Sequence, residues 1–86
     1  MLKPKELEHG KIYFVSYGGN TQLVFRFDRD ETTQFYYFDA LHYWNGFETF
    51  RKGSSYCCHS HISELRAATK AEKHALLRFE IEYDCI

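Results

Sequence analysis

Hydrophobic and polar residues alternate along much of the first half of the chain, which is the pattern of β-strands. The alternation is most regular in residues 21–29, TQLVFRFDR, where one face is predicted to point inward and the other outward. The inward residues are Leu23, Phe25 and Phe27, and the outward residues are Gln22, Arg26 and Asp28. The preceding segment 11–17, KIYFVSY, is apolar on both faces and predicts a strand buried on two sides. Between these segments, Gly18-Gly19-Asn20 favours a hairpin turn, because Gly and Asn tolerate positive φ.

The pattern predicts two more strands joined by a second hairpin. After a polar turn at residues 28–32, the aromatic segment 32–44 is long for one strand, so we expect a bend or bulge at Asp39-Ala40. The dipeptide Asn45-Gly46 predicts a type I′ turn, and residues 47–52, FETFRK, predict the return strand. Another turn is expected at residues 53–55. Residues 54–63, SSYCCHSHIS, then predict a fifth strand or an extended segment.

The pattern changes to a helical one near the C-terminus. Thr69 and Glu72 have the spacing of a capping box, in which each side chain accepts from the backbone N–H of the other. Apolar residues then recur on one side of a helix predicted over residues 69–81: Ala71, Ala75, Leu76 and Phe79. Residues 79–85 also alternate in the manner of a strand, and we favour the helix.

Five short strands followed by one helix predict a mainly β fold. We expect one domain over residues 1–86, with a β-rich body at 10–66 that forms a small open barrel of the SH3-like kind. An OB-like barrel is the alternative, but its helix usually lies within the strand order rather than after it.

Composition and charge narrow the classes of function. Aromatic residues make up 19% of the chain, enough to build a core without a metal or disulfides. Eleven basic residues against twelve acidic ones provide no overall excess for binding phosphates. No segment has the apolar length of a membrane span or of a signal peptide. Together with an odd number of cysteines, three, this leads us to expect reduced thiols and a cytoplasmic protein.

The segment YCCHSHI, residues 56–62, raises the question of a metal site. If it is extended, Cys57, His59 and His61 share one face and are the candidate ligands, while Cys58 and Ile62 lie on the other face. Structural zinc sites usually take a second, separately spaced ligand pair, and the sequence offers none. We therefore expect no metal, with Cys58 and Ile62 packed inside and the two histidines in solvent.

Signals of catalysis are weak. Cys57 and His42 could form a nucleophile pair, but a chain with three cysteines and five histidines always offers such a combination. The sequence contains no serine elbow, no Gly-rich phosphate loop and no pair of carboxylates in apolar surroundings. We expect a protein that is not an enzyme and needs no cofactor.

The aromatic segment suggests binding instead. Both faces of FYYF, residues 35–38, carry aromatic rings, and one face is left for the C-terminal helix or a partner. The predicted partner-binding residues are Tyr36, Phe38, Tyr43 and Trp44. Such patches bind proteins or stack on nucleic-acid bases. Net charge favours a protein partner of unknown identity. The alternative is weak binding of single-stranded nucleic acid through Arg26, Arg29, Arg51 and Lys52.

The segment that joins the predicted β-rich body to the predicted helix carries a recognisable motif. Residues 62–73, ISELRAATKAEK, fit the pattern I-x-x-[IL]-R-x-A-T-x-x-E-K, and residues 10–15, GKIYFV, precede them at the start of the predicted body. In this respect the chain resembles small phage and mobile-element proteins of no known activity, in which a β-rich body ends in such a segment and a helix. The resemblance covers about a third of the chain. It implies a barrel-like body and a phage or prophage origin, and it transfers no catalytic residue.

Overall fold

A computed structural model describes residues 1–85. After a short 3₁₀ helix at Pro4–Glu6, five strands follow in order: β1 Ile12–Tyr17, β2 Thr21–Asp30, β3 Gln34–Trp44, β4 Phe47–Cys58 and β5 Ile62–Ala67. A single α-helix, α1, spans Lys70–Glu82. The strands form one antiparallel sheet in the order β4-β3-β2-β1-β5. The predicted fold class is confirmed: the protein is mainly β, with an architecture consistent with a small open barrel and with its helix last. The narrower SH3-like assignment stays a prediction.

The sheet has an apolar core on each face. The larger core lies on the face opposite α1, and the predicted inward residues of β2 all belong to it: Leu23, Phe25 and Phe27. On the opposite face, α1 covers a second core that includes Phe14, Val24, Leu41 and Leu76. β1 contributes to both cores, as its two apolar faces predict. Burial on both faces explains how so short a chain uses so many aromatic residues.

A bulge in β3 lies at the predicted place. β2 residues Phe25 and Phe27 pair with Ala40 and Tyr37, so two residues of β3, Phe38 and Asp39, stand opposite the single residue Arg26. The extra residue reverses the alternation of side chains. As a result, Tyr37 and Ala40 both contribute to the larger core although three positions separate them.

The second half of β4 corrects the sequence analysis. The turn predicted at residues 53–55 is wrong, because β4 continues through Gly53 to Cys58. The pairing shifts where Gly53 adopts φ 99°, which identifies a bulge rather than a chain reversal. The predicted fifth strand at 54–63 is therefore the end of β4, and β5 starts only at Ile62. The turn predicted at 28–32 also comes later, since β2 extends to Asp30.

The helix begins as its capping box predicts. The Glu72 N–H donates to Thr69 Oγ1 at 3.2 Å, and the Thr69 N–H donates to Glu72 Oε1 at 2.8 Å. Arg66 adds two hydrogen bonds to the same carboxylate, at 2.8 and 3.0 Å, which ties the end of β5 to the first turn of α1. Glu72 consequently has a pKa below its usual value, chiefly because of Arg66. The helix prediction for residues 79–81 is confirmed over the strand alternative.

Candidate interaction surface

The β3–β4 hairpin ends in the type I′ turn that the sequence predicts. Asn45 and Gly46 both have positive φ, 49° and 83°, and Trp44 pairs directly with Phe47. The Asn20 side chain donates to Asn45 Oδ1 at 2.8 Å, so the tip of the β1–β2 hairpin is linked to the tip of the β3–β4 hairpin. Among the described residues, 1–85, the twelve-residue strand β4 lies at the edge of the sheet and pairs only with β3. The hairpin therefore presents an edge that no neighbouring strand of the sheet covers.

One face of this hairpin is exposed near the tip. Paired residues of an antiparallel sheet share a face, and side chains alternate along each strand. The pairs Trp44–Phe47, His42–Thr49 and Ala40–Arg51 thus lie on one face. Ala40 belongs to the larger core, whereas Trp44 is 55% exposed and Phe47 71% exposed. We name the outer part of this surface, Trp44, Phe47, His42, Thr49 and Arg51, the hairpin face.

A shallow groove of about 380 Å³ adjoins the hairpin face. Its lining includes Leu23 and Cys57 from the core and Tyr17, His42 and Arg51 at the rim. Arg51 Nη2 donates to His42 Nδ1 at 3.2 Å, which requires that nitrogen to be unprotonated. Burial and the neighbouring Arg51 both lower the pKa of His42, so its ring is neutral at pH 7. The groove combines aromatic rings, an apolar floor and a guanidinium.

The four predicted partner-binding residues do not form one patch. Tyr43 alternates to the face under α1, packs beside the second core and has a pKa raised to about 12, mainly by burial. Tyr36 lies beside Tyr56 beneath the Arg29 guanidinium, and Phe38 packs edge-on against His9. Trp44 is eight positions beyond Tyr36 on β3, roughly 25 Å along a strand. Only Trp44 belongs to the hairpin face.

The four candidate nucleic-acid residues are also separated. Arg26 makes two 2.7 Å hydrogen bonds to Glu80, and Arg29 bonds Asp28 at 2.8 Å and Glu31 at 3.1 Å. Arg51 is part of the hairpin face. Lys52, the next residue, points to the opposite face, and in the strand register it stands opposite Asp39 of β3. Carboxylates neutralise two of these four cations, and the other two lie on different faces.

The extended conformation predicted for residues 56–62 is confirmed for residues 56–58 and wrong for residues 59–61, because β4 ends at Cys58 and the next three residues form a tight turn before β5. Cys57 is buried, with a pKa raised to about 11 by burial, and Cys58 is exposed, opposite to its predicted inward position. His59 is partly buried, donates to Asp30 Oδ1 at 2.6 Å and stacks on Phe35. His61, in solvent as predicted, has φ 68°. Across residues 1–85, no three His, Cys, Asp or Glu side chains converge as metal ligands would.

A buried charged cluster that was not predicted from the sequence lies between the sheet and α1. Arg26 donates to both oxygens of Glu80, which is fully buried, and to the carbonyl oxygen of Gly10 at 2.6 Å. Asp39, placed by the β3 bulge, is only 3% exposed, and within residues 1–85 its Oδ1 has no hydrogen-bond partner. The expectation of no paired carboxylates in apolar surroundings is therefore wrong. The only sequence signal of this cluster was a charged residue, Asp39, at the predicted bulge. Glu80 is 54 positions from its partner Arg26, so no local pattern connects the two.

The excess negative charge of this cluster explains its proton affinities. Two carboxylates share one guanidinium. Burial, and then the proximity of Glu80, raises the pKa of Asp39 to about 7. Burial alone would raise the pKa of Glu80 as well, but its hydrogen bonds with Arg26 and Asp39 hold it below the usual value. The cluster fastens α1 to the sheet, and Glu80 within it is closed off from solvent.

Comparison of the chain with protein-family models, curated proteins and solved structures finds no match. The resemblance to phage proteins therefore stays a prediction. No helix within residues 1–85 has the length and apolar character to cross a membrane.

Proposed function

We propose that this chain is a non-enzymatic interaction module that binds a protein partner through the hairpin face. The observation that supports this proposal is the pair Trp44 and Phe47, both more than half exposed, beside an open edge strand. Trp and Phe are enriched in protein interfaces, and an open edge can accept a strand from another protein through backbone hydrogen bonds. Exposed aromatic residues on an open edge also carry a risk of aggregation, and a partner bound to this edge would cover them.

The charge arrangement favours a protein partner over single-stranded nucleic acid. A base-stacking surface needs a basic groove to hold the phosphates. Arg26 and Arg29 are already bonded to carboxylates, so phosphate binding through them would first break ion pairs. In addition, the Arg29 guanidinium already covers the ring of Tyr36, at 4.0 Å from the ring centroid.

Two parts of the proposal rest on other features. The three cysteines are free thiols, which favours the cytoplasm as the compartment. The resemblance of residues 62–73 to phage proteins favours an accessory role in a phage or prophage.

The proposal is tested by selecting binders from a random peptide library on the immobilised protein. Selected peptides are then measured against a Trp44→Ala/Phe47→Ala variant and against an Ile81→Ala/Tyr83→Ala control, which removes two exposed apolar residues at the end of α1. We expect at least a tenfold loss of affinity for the hairpin variant and little change for the control. Peptides that bind both variants equally would contradict the proposed site.

A parallel titration with a twenty-residue oligothymidylate separates the two functions. Affinity for phosphates falls steeply between 50 and 200 mM salt, whereas binding of a peptide through apolar and backbone contacts changes little. Tight, salt-sensitive binding of the oligonucleotide that is lost in an Arg51→Gln/Lys52→Gln variant would favour nucleic acid instead.

A further inference from the structure

We infer that the hairpin face takes an acidic, extended segment of a partner protein, added as a strand to β4 with a carboxylate opposite Arg51 and an apolar side chain opposite Phe47. This inference rests on the proposed function and specifies the chemistry of the partner. Three features of the described residues carry it: the charge of the groove, the open backbone of β4 and the spacing of the two side chains.

The charge of the groove differs from that of the rest of the surface. Among its described lining residues there is no aspartate or glutamate, although the chain as a whole is slightly acidic. Elsewhere, Arg26, Arg29 and Arg66 each bond a carboxylate of the same chain. Arg51 instead bonds the neutral ring of His42, and within residues 1–85 no carboxylate pairs with it, so most of its five N–H donors are available. A carboxylate from outside is the complementary group, because it accepts two parallel bonds from a guanidinium.

The backbone of β4 provides the second feature. In an antiparallel pair, alternate residues direct their N–H and C=O groups away from the partner strand. On the outer side of β4, a backbone oxygen is engaged at one end, where the Tyr17 hydroxyl donates to the carbonyl oxygen of Cys58 at 3.3 Å. The opposite edge of the sheet, β5, is partly occupied, since the Leu2 N–H donates to the carbonyl oxygen of Leu65 at 3.0 Å. An incoming strand therefore finds its longest open edge at β4.

The spacing along β4 defines what such a strand must carry. Phe47, Thr49 and Arg51 lie on one face at alternate positions, so Phe47 and Arg51 are four residues apart. A strand added beside β4 presents its own alternate side chains on the same face. A match thus needs an apolar residue and an acidic residue four positions apart, in either order according to the strand direction.

The probe is a nine-residue blocked peptide with a central glutamate, isoleucine at the second and fourth positions on each side and serine between them. Its symmetry allows either strand direction. Two further peptides replace the glutamate by glutamine or lysine. Each peptide is titrated into ¹⁵N-labelled protein while amide shifts, affinity and the ring signals of His42 are followed. The variants are Arg51→Gln and, as a matched control, Lys52→Gln, which removes the same charge one residue away on the other face.

We expect shift changes concentrated on β4 and at least tenfold tighter binding of the glutamate peptide than of the glutamine peptide, with the lysine peptide weakest. Arg51→Gln should abolish the preference for glutamate, and Lys52→Gln should retain it. Binding of the glutamate peptide should also raise the pKa of His42, because a carboxylate next to the ring favours its charged form.

Several results would overturn the inference. Equal affinity for the glutamate and glutamine peptides contradicts the acidic preference while leaving a peptide site on the hairpin. If none of the three peptides shifts the β4 amides at millimolar concentration, strand addition is overturned. The proposed function is then tested separately by the selection from the peptide library. Shifts of β4 amides that depend on protein concentration alone would assign the edge to a second copy of the chain. Tighter binding of an oligothymidylate to the same amides would assign it to phosphates.

Discussion

The first part of β3, Phe35–Leu41, and its last part, His42–Trp44, both carry aromatic or apolar side chains, yet they differ in what covers them. Phe35, Tyr37, Ala40 and Leu41 are fully buried, whereas Trp44 is 55% exposed. The larger core covers the first part from one side, and α1 covers its end, at Leu41, from the other. Beyond Leu41, the side chains on the other face of β3, those of His42 and Trp44, do not belong to the larger core. The comparison shows that two stretches of similar composition serve different purposes: the first holds the barrel together, and the second is available for contact with other molecules.

The largest effect should follow from removing a buried ring of the first part. Phe35→Ala should lower the free energy of unfolding by about 3–5 kcal/mol, because it loses apolar burial and leaves a cavity. This is a large share of the total stability of a domain of this size, about 5–15 kcal/mol. Phe38→Ala on the same strand, at a position 38% exposed, is the control and should cost about 1 kcal/mol. Urea denaturation measures both. Similar losses for the two variants would mean that the FYYF segment is not divided into a core face and an outer face.

Alternation and turn chemistry were sufficient to predict most of the elements on either side of this division, but not the division itself. The positions of β1, β2 and β3, the Asn45-Gly46 turn and the capping box all follow from local rules, because each depends on residues close in sequence. The outer end of β4 did not follow, since Gly53 and two serines are as typical of a turn as of a bulge. Of the predicted partner-binding residues, Trp44 belongs to the hairpin face, whereas its neighbour Tyr43 is partly buried because α1 packs on the other face of the sheet, and no residue close in sequence indicates where α1 packs.

A second prediction concerns the charged cluster of Arg26, Glu80 and Asp39, which fastens α1 to the sheet. Glu80→Ala should destabilise the protein by about 3 kcal/mol, because it leaves Arg26 without its carboxylate partner in a largely buried place. This loss of stability is at the low end of the range for a broken buried ion pair, because Arg26 remains close to Asp39 and is 21% exposed. Glu82→Ala, two residues along the helix and exposed, should change stability by under about 0.5 kcal/mol. Equal effects would show that the buried ion pair is not what holds the helix.

The same cluster predicts how stability depends on pH. The pKa of Asp39 in the folded protein, about 7, exceeds its unfolded value of about 3.9. Its contribution is therefore fully present below the unfolded pKa and is lost as pH rises through the folded pKa. Glu80 has the opposite sign: its pKa is depressed, so its contribution is present above the unfolded value near 4.3 and is lost in stronger acid. For these two groups, stability should be highest near pH 4 and should fall by about 2–3 kcal/mol between pH 5 and pH 8.

The variant Asp39→Asn isolates this effect. An amide has nearly the same shape, does not titrate and can donate a hydrogen bond to Glu80. The decline between pH 5 and pH 8 should therefore largely disappear, with Glu80, Arg26, Lys52 and Cys85 as the remaining charged or titratable groups nearby. Chemical denaturation at a series of pH values measures the slope. An unchanged slope in the variant would assign the pH dependence to groups outside the cluster.

The smallest effect on stability is expected in the last part of the hairpin, and this is where the difference between the two parts bears on function. Trp44→Ala and Phe47→Ala should each cost under about 1 kcal/mol, the range of a single cross-strand pair, because both rings already contact solvent over more than half of their surface. The type I′ turn between them keeps its own sequence, so the hairpin should still form. Denaturation curves and amide spectra check that each variant remains folded. Any loss of partner binding in these variants then reports a lost contact rather than unfolding. If instead either variant destabilised the protein as strongly as Phe35→Ala, the last part would belong to the core, and the hairpin face would no longer be available as a binding surface.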